Sequence, residues 1–332
     1  MAVEHFVTLP DNVRQPEGLT INPASGELFV GTFDAREPDS ARNNQLLRYS
    51  RDGKLLGSKP FGPTPLTGIA FRDDHIYVLN FGTAQLQRIA AAFDAQTPVQ
   101  VVLALPRLAP TAPAPRSIAN PDGSSDVVTF GSTGMAAPNG MVFDSRGNLY
   151  VSDSFQGAIL RIEAATSCSR CVAEVVSRNP MLATAGALPF GANGLAFDPG
   201  EQHLYITNAG DGRLLRMNMA DRTMQVVAES LPGADGLLFH GGLFWVAANQ
   251  IDHVVAVNAA GRAMVIAGGF QGINADGTPR GLLFPASTVA DGSWMFVTNL
   301  ALPLTPATGD EWEEEVARWS IARFRIPESG SR

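Results

Sequence analysis

Four residues carry oxygen donors at matching points of a repeated pattern: Glu17, Asn139, Asn193 and Asp235. Each is followed by glycine, and each opens a short apolar run. Two carboxylates and two amides nearly neutralise a divalent cation. Carboxylate and amide oxygens are the ligands that hard cations take; calcium accepts about six to eight of them in irregular geometry. No His or Cys stands at a matching point, which argues against zinc and copper. The expected cofactor is therefore Ca2+, with Mg2+, Mn2+ and Zn2+ as alternatives. The competing reading is turn chemistry, since Asn-Gly and Asp-Gly are turn dipeptides. Here they begin strands, and Glu-Gly at the same register is no turn preference. A Glu and an Asp packed together without a cation would repel.

The elements that must position these residues recur six times. The segments read PEGLTINPASGELFVGT, PLTGIAFRDDHIYVLN, PNGMVFDSRGNLYVSD, ANGLAFDPGEQHLYITN, ADGLLFHGGLFWVAAN and PASTVADGSWMFVTN. Their anchors are Glu17, Thr67, Asn139, Asn193, Asp235 and Ala286, at intervals of 50, 72, 54, 42 and 51 residues. A second polar mark closes each pair of runs: Thr32, Asn80, Asp153, Asn208, Asn249 and Asn299, 13 to 15 residues after the anchor. One or two further β-branched runs follow most hairpins, as in QLLRYS and KLLGSKPF. Four short antiparallel strands at this period are the mark of a propeller blade. The fold class expected is all-β: one six-bladed β-propeller of four-stranded antiparallel blades, a single domain spanning 1–332.

The sixth repeat lacks an outer strand, because only WSIARFRI follows its hairpin. The N-terminal run HFVTLP supplies the missing strand, since VTLPDNVRQPEGL matches ESLPGADGL around Asp235. Residues 5–10 are thus expected to close the last blade, which removes two open edges. Each inner strand starts at the top face, and the second strand returns to it. The long loops 33–45, 104–138, 178–192, 270–285 and 300–315 therefore belong at the top. The stretch 104–138 is Pro/Ala/Gly/Ser-rich and shows no periodicity. Loops this long are lids, binding elements or disordered segments.

On P-E-G-L at Glu17, F-G-A-N-G-L-A-F-D-P at Asn193 and A-D-G-L-L-F…L-F-W-V-A at Asp235, the chain resembles the SMP-30/gluconolactonase and luciferin-regenerating-enzyme-like propellers, to which paraoxonase and diisopropyl fluorophosphatase are related. The resemblance spans nearly the whole chain. It implies a catalytic divalent metal, usually calcium, on Glu17, Asn193, Asp235 and Asn139, the last in the place of the second Asn. It also implies hydrolysis of lactones, esters or organophosphates. Two departures stand out. The sixth anchor region, Phe284-Pro285-Ala286-Ser287, lacks the His of the paraoxonase-like members. The substrate-recognising Arg of the sugar-lactone members is not evident beside Asn139.

The expected function is a metal-dependent hydrolase of a lactone or ester, with attack by water or by a carboxylate at the top of the channel. The cation acts as a Lewis acid, and Asp235 is the candidate catalytic base or nucleophile. Thr67, Asn80, Asp153, Asn208, Asn249 and Ser287 are read as orienting ligands or substrate, or as strand-end turn residues. His253 lies on a top loop as a proton shuttle or a surface residue. Asp34, Arg36 and Glu37 on the first lid meet substrate or solvent. The apolar lid residues Met135, Leu182, Leu188, Phe190, Phe270, Leu282, Leu283 and Phe284 suit a small-molecule substrate with hydrophobic bulk. A metal-assisted lyase, cyclase or isomerase fits the same pattern. So does a non-catalytic binding propeller with structural calcium.

Composition narrows the partners. The 332 residues hold 24 Lys+Arg against 32 Asp+Glu, a net charge of −8, and no basic stripe forms, so nucleic acid is not expected. No apolar run reaches the roughly 18 residues of a membrane span. Cys168 and Cys171, in a turn between strands, read as a turn clip or two free thiols before a redox pair. MAVEHFVTLP has no basic start and no apolar h-region. The chain reads as cytoplasmic as written, and as periplasmic or secreted had a leader been removed. A monomer or homodimer is expected.

Overall fold

The computed structural model describes residues 1–109, 116–128, 135–186, 188–305 and 308–327. The Val-, Ile-, Leu- and aromatic-rich runs form strands, as such residues do on a pleated, half-buried surface. Blade 1 comprises Pro16–Ile21, Leu28–Thr32, Asn44–Tyr49 and Leu55–Gly62. Blade 2 comprises Leu66–Arg72, His75–Asn80, Gln85–Ala90 and Gln100–Ala104. Blade 3 holds Pro138–Phe143, Leu149–Asp153, Ala158–Ile162 and Ala173–Ser177. Blade 4 holds Ala192–Phe197, His203–Asn208, Arg213–Asn218 and Met224–Ala228. Blade 5 is built from Ala234–His240, Leu243–Ala248, His253–Val257 and Ala263–Gly268. Blade 6 takes Pro285–Asp291, Trp294–Asn299 and Ser320–Arg325 from the C-terminal end and Glu4–Thr8 from the N-terminal end. The fold is a six-bladed β-propeller, as expected, and the N-terminal strand closes it.

Closure is made by antiparallel pairing from Glu4–Arg323 to Thr8–Ser320. Arg323 seals this seam. Its Nε donates to Glu4 Oε1 at 2.7 Å, and its guanidinium lies over Phe6 and Trp294, 5.1 and 4.2 Å from the ring centroids. Around the ring, a second-strand aromatic packs on the inner strand of the next blade. Tyr77 meets Phe143 and Tyr150 meets Phe197 edge-on, at 5.0 and 5.1 Å. Each such pair adds about 0.5–1.5 kcal/mol beyond its area burial.

The inner strands converge on the axis, and a bulge marks every one. The register between first and second strands shifts at the anchor in all six blades. A bulge re-aims a side chain, and here the residue re-aimed is the anchor. The glycine after it is required by close approach. A Cβ on Gly18, Gly68, Gly140 or Gly236 would fall 2.2–2.4 Å from the anchor carbonyl oxygen of the next blade, and one on Gly194 2.6 Å away. Only glycine permits that contact.

Two further hairpins lie outside the blades. Arg116–Ala119 pairs with Ser125–Val128, inside the 104–138 stretch that showed no periodicity. Phe270–Ile273 pairs with Pro279–Gly281. Their turns carry the cause: Asn120 and Asn274 open them, and Gly123 and Gly277 take positive φ. The rest of 104–138 includes residues outside the described ones. Cys168 and Cys171 form a disulfide that clips the turn between the third and fourth strands of blade 3.

Gly140→Ala places a methyl group against the Asn193 carbonyl oxygen. It is expected to destabilise the protein by about 1–3 kcal/mol, measured by denaturant titration. Ser287→Ala, at the one ring position that already bears a side chain, is expected to change stability by less than about 0.5 kcal/mol.

Candidate functional site

The bulges bring the anchors to one place. Glu17, Asn139, Asn193 and Asp235 all line the channel, and all four also form the floor of a second cavity above it. The four side chains therefore sit between two spaces, as a collar. Below them the channel is lined by Leu19, Ile69, Met141, Leu195, Leu237 and Thr288. That belt is largely apolar and gives the carboxylates no counter-charge.

The two carboxylates are nearly buried, Glu17 at 7% and Asp235 at 6% exposure. Desolvation raises both above the ordinary carboxylate range, and the neighbouring Asp235 charge raises Glu17 further. Asp235 is pushed up to about 7, against the opposing hydrogen bonds of Asn249 and Asn193. Among the described residues, no Lys, Arg or His lines either space.

Backbone as well as side chains is held. Ser152 Oγ donates to the Asn193 carbonyl at 2.6 Å, Thr207 Oγ1 to that of Asp235 at 2.5 Å, and Thr298 Oγ1 to that of Glu17 at 3.1 Å. Each hydroxyl belongs to the second strand of the preceding blade. Sequence reading missed these three residues, although Ser-Asp, Thr-Asn and Thr-Asn before the closing marks carry the signal. Asn139 Nδ2 donates to Ser154 Oγ at 3.2 Å, which leaves its amide oxygen for another partner.

The remaining expected site residues divide sharply. Asn249 joins the site: its Nδ2 donates to Asp235 Oδ2 at 3.2 Å, and its buried Oδ1 has no hydrogen-bond partner. Gly233 makes room for that amide, since a Cβ there would lie 1.7 Å from Asn249 Oδ1. Thr67 lines the upper cavity, but its hydroxyl is committed to the Pro138 carbonyl at 2.7 Å. Ser287 lines the lower channel only.

Asn80, Asp153 and Asn208 follow the strand-end reading, because they staple loops. Asn80 Oδ1 accepts from Thr83 N. Asp153 accepts from Ala137 N and from both nitrogens of Gln156. Asn208 donates to the Met181 and Ala183 carbonyls. Strand ends leave backbone groups unpaired, and these side chains satisfy them. His253 is half-buried on its own turn, bonded to the Ile251 carbonyl, and lines neither space. Asp34 and Glu37 pair with Arg14, and Arg36 Nη2 donates to the Thr305 carbonyl at 2.6 Å. These three tie loops together.

The upper cavity opens to solvent. Leu188, Phe190 and Phe284 line it as expected, joined by Phe33 and by Leu300, Leu302 and Leu304. The five other expected lid residues do not line it. Leu182, Leu282 and Leu283 are buried in cores between elements, and Phe270 packs on Trp312 at 5.6 Å. Met135 is exposed.

The donor set fits a hard divalent cation. Among the described residues, no three His, Cys, Asp or Glu side chains gather as a metal-holding group. The collar instead offers two carboxylates, two amides and the orphaned Asn249 oxygen. An all-oxygen set suits calcium better than zinc. A cation would also relieve the repulsion between Glu17 and Asp235.

Comparison with known proteins adds the architecture. The likeness is one of fold. A luciferin-regenerating enzyme matches with a TM-score of 0.65 at 12% identity, over 98% of this chain and 95% of that one. The calcium-binding protein regucalcin from Agrobacterium tumefaciens matches at 0.61 and 13%, over 98% and 94%. A gluconolactonase from Xanthomonas campestris matches at 0.55 and 14%, over 96% and 88%. No protein-family model and no curated protein matches the chain in sequence. The resemblance to the SMP-30/gluconolactonase-like propellers thus holds at the level of the six-bladed fold.

Between the ordinary carboxylate range and about pH 7, the unfolded chain releases the Asp235 proton while the folded protein keeps it. Metal-free protein therefore loses stability as pH rises through that window. In chelator, Asp235→Asn is expected to melt above the wild type at pH 8, and at or below it at pH 4, by scanning calorimetry. A difference that ignores pH contradicts the burial of an uncompensated charge.

Proposed function

We propose that this propeller is a divalent-cation-dependent hydrolase of lactones or esters, with calcium as the cation its donors fit. The observation that carries the reading is the collar. Two buried carboxylates, with no cationic neighbour among the described residues lining it, form the floor of a cavity open to solvent. Uncompensated charge of that kind is costly unless it serves a ligand.

Glu17, Asn139, Asn193 and Asp235 would hold the cation. When bound, it would supply Lewis-acid polarisation of the scissile carbonyl. The chain's own residues would do the rest. Asn249 Nδ2 fixes Asp235 Oδ2, so the carboxylate meets the substrate in one orientation. Asp235 then takes a proton from water as the water oxygen bonds to the acyl carbon, or attacks that carbon itself to give an anhydride that water cleaves afterwards. The C–O bond to the leaving oxygen breaks, and that oxygen takes up a proton. The apolar walls limit the water that reaches the centre.

Turnover of a panel of γ- and δ-lactones and aryl esters tests the reading. Activity is expected to vanish in EDTA, to return with calcium and to fall at least about a hundredfold in Asp235→Asn. Asn249→Ala is expected to lower kcat more than it raises KM, because it frees a carboxylate and leaves substrate contacts intact. Cation binding without turnover of any substrate would move the reading to lyase, cyclase or isomerase chemistry, or to a binding role.

A further inference from the structure

The upper cavity is polar only on its floor. Glu17, Thr67, Asn139, Asn193, Asp235 and Asn249 lie there, and among the described residues no other side chain lining the cavity carries a hydrogen-bonding group. The walls are built rather than incidental. Phe33 packs on Phe81 at 5.2 Å, Phe81 on Phe155 at 6.1 Å and Phe155 on Phe190 at 5.0 Å, a continuous aromatic arc from blade 1 to the entry of blade 4. Beside Phe33, Leu300, Leu302 and Leu304 line the cavity from one loop. That loop is clasped. Glu311 accepts from Leu304 N and Thr305 N at 2.7 and 2.6 Å, and Trp319 Nε1 donates to the Leu300 carbonyl at 3.1 Å. Arg36 reaches across from the blade 1 loop to the Thr305 carbonyl.

Such walls discriminate among substrates. A sugar lactone would set several hydroxyls against Phe and Leu side chains that offer no partner, and each unpaired hydroxyl is penalised. An anionic ester would find no Lys, Arg or His among the described residues of the lining. A hydrocarbon group gains from burial there, by a factor of about four per methylene.

Resting on the hydrolase reading, we propose that the substrates are uncharged lactones or esters bearing a hydrocarbon chain or ring. That group lies against the Phe33–Phe190 arc and the Leu300–Leu304 loop, and Phe33 and Leu304 set the preference for it.

Two measurements separate this inference from the reading beneath it. The first is kcat/KM for γ-lactones with lengthening alkyl chains, beside δ-gluconolactone, for wild type, Leu304→Ser and Phe33→Ser. Leu304 is 40% exposed on a loop, so its replacement leaves the blades intact. The rate constant is expected to rise about fourfold per methylene over the first few carbons. Gluconolactone should lie well below the longer-chain substrates, and the slope should flatten in both variants. The second is calorimetric binding of 5-alkyl-2-pyrrolidinones, lactams that resist hydrolysis. Their affinity should rise with chain length in the wild type and not in Leu304→Ser. Lactams that tighten with chain length while no lactone turns over would sink the hydrolase reading and sustain the inferred preference of the walls for a hydrocarbon group. Turnover or lactam binding that ignores chain length, or a preference for the sugar lactone, would overturn it.

Discussion

Glu17 and Asp235 are nearly buried at one ring, and among the described residues no cationic side chain lines the space they share. Each raises the cost of ionising the other, and burial raises it again. A protein that buries two carboxylates in this way must protonate them, pair them or fill the space between them. The architecture around the collar makes sense as a device for the third option. It puts amide oxygens on the same ring, and among the described residues no cationic side chain lines it.

Holding that ring demands precision from the backbone. Six bulges turn the anchors, and the glycines let each inner strand touch the next anchor's carbonyl. Ser152, Thr207 and Thr298 then tie the anchor carbonyls of one blade to the second strand of the blade before. A ring of this kind is only as rigid as its closure. The N-terminal strand on blade 6, locked by Arg323, is therefore part of the site's support although it lies at the rim. The same loops that cover the collar supply the apolar walls above it, so charge and hydrophobicity are layered along one axis.

The propeller was legible because its repeat carries physical necessity. An anchor, a glycine for close approach and a polar strand end recur wherever an inner hairpin must meet the axis, and the likeness of VTLPDNVRQPEGL to ESLPGADGL betrayed the closing strand. Roles at the strand ends were not legible. Asn80, Asn208 and Asn249 are the same residue at the same register, yet only Asn249 turns to the collar, where Gly233 leaves space and a 3-10 turn lifts the chain. The other two answer to loops whose paths the repeat does not encode. The apolar wall was half legible. Phe33, Phe81 and Leu300 each follow a closing mark directly, a register that went unread, whereas Leu182, Leu282 and Leu283 have the right chemistry and belong to cores.

The most direct measurement is calorimetric titration of chelator-treated protein with calcium, in the wild type and in Glu17→Gln and Asp235→Asn. One ion per chain in the wild type is expected. Its binding should weaken or vanish in each variant, and protons should be released near pH 6 as the raised carboxyl groups ionise. Full-length folded protein that takes up no divalent cation, or binds one equally well without either carboxylate, would contradict the account.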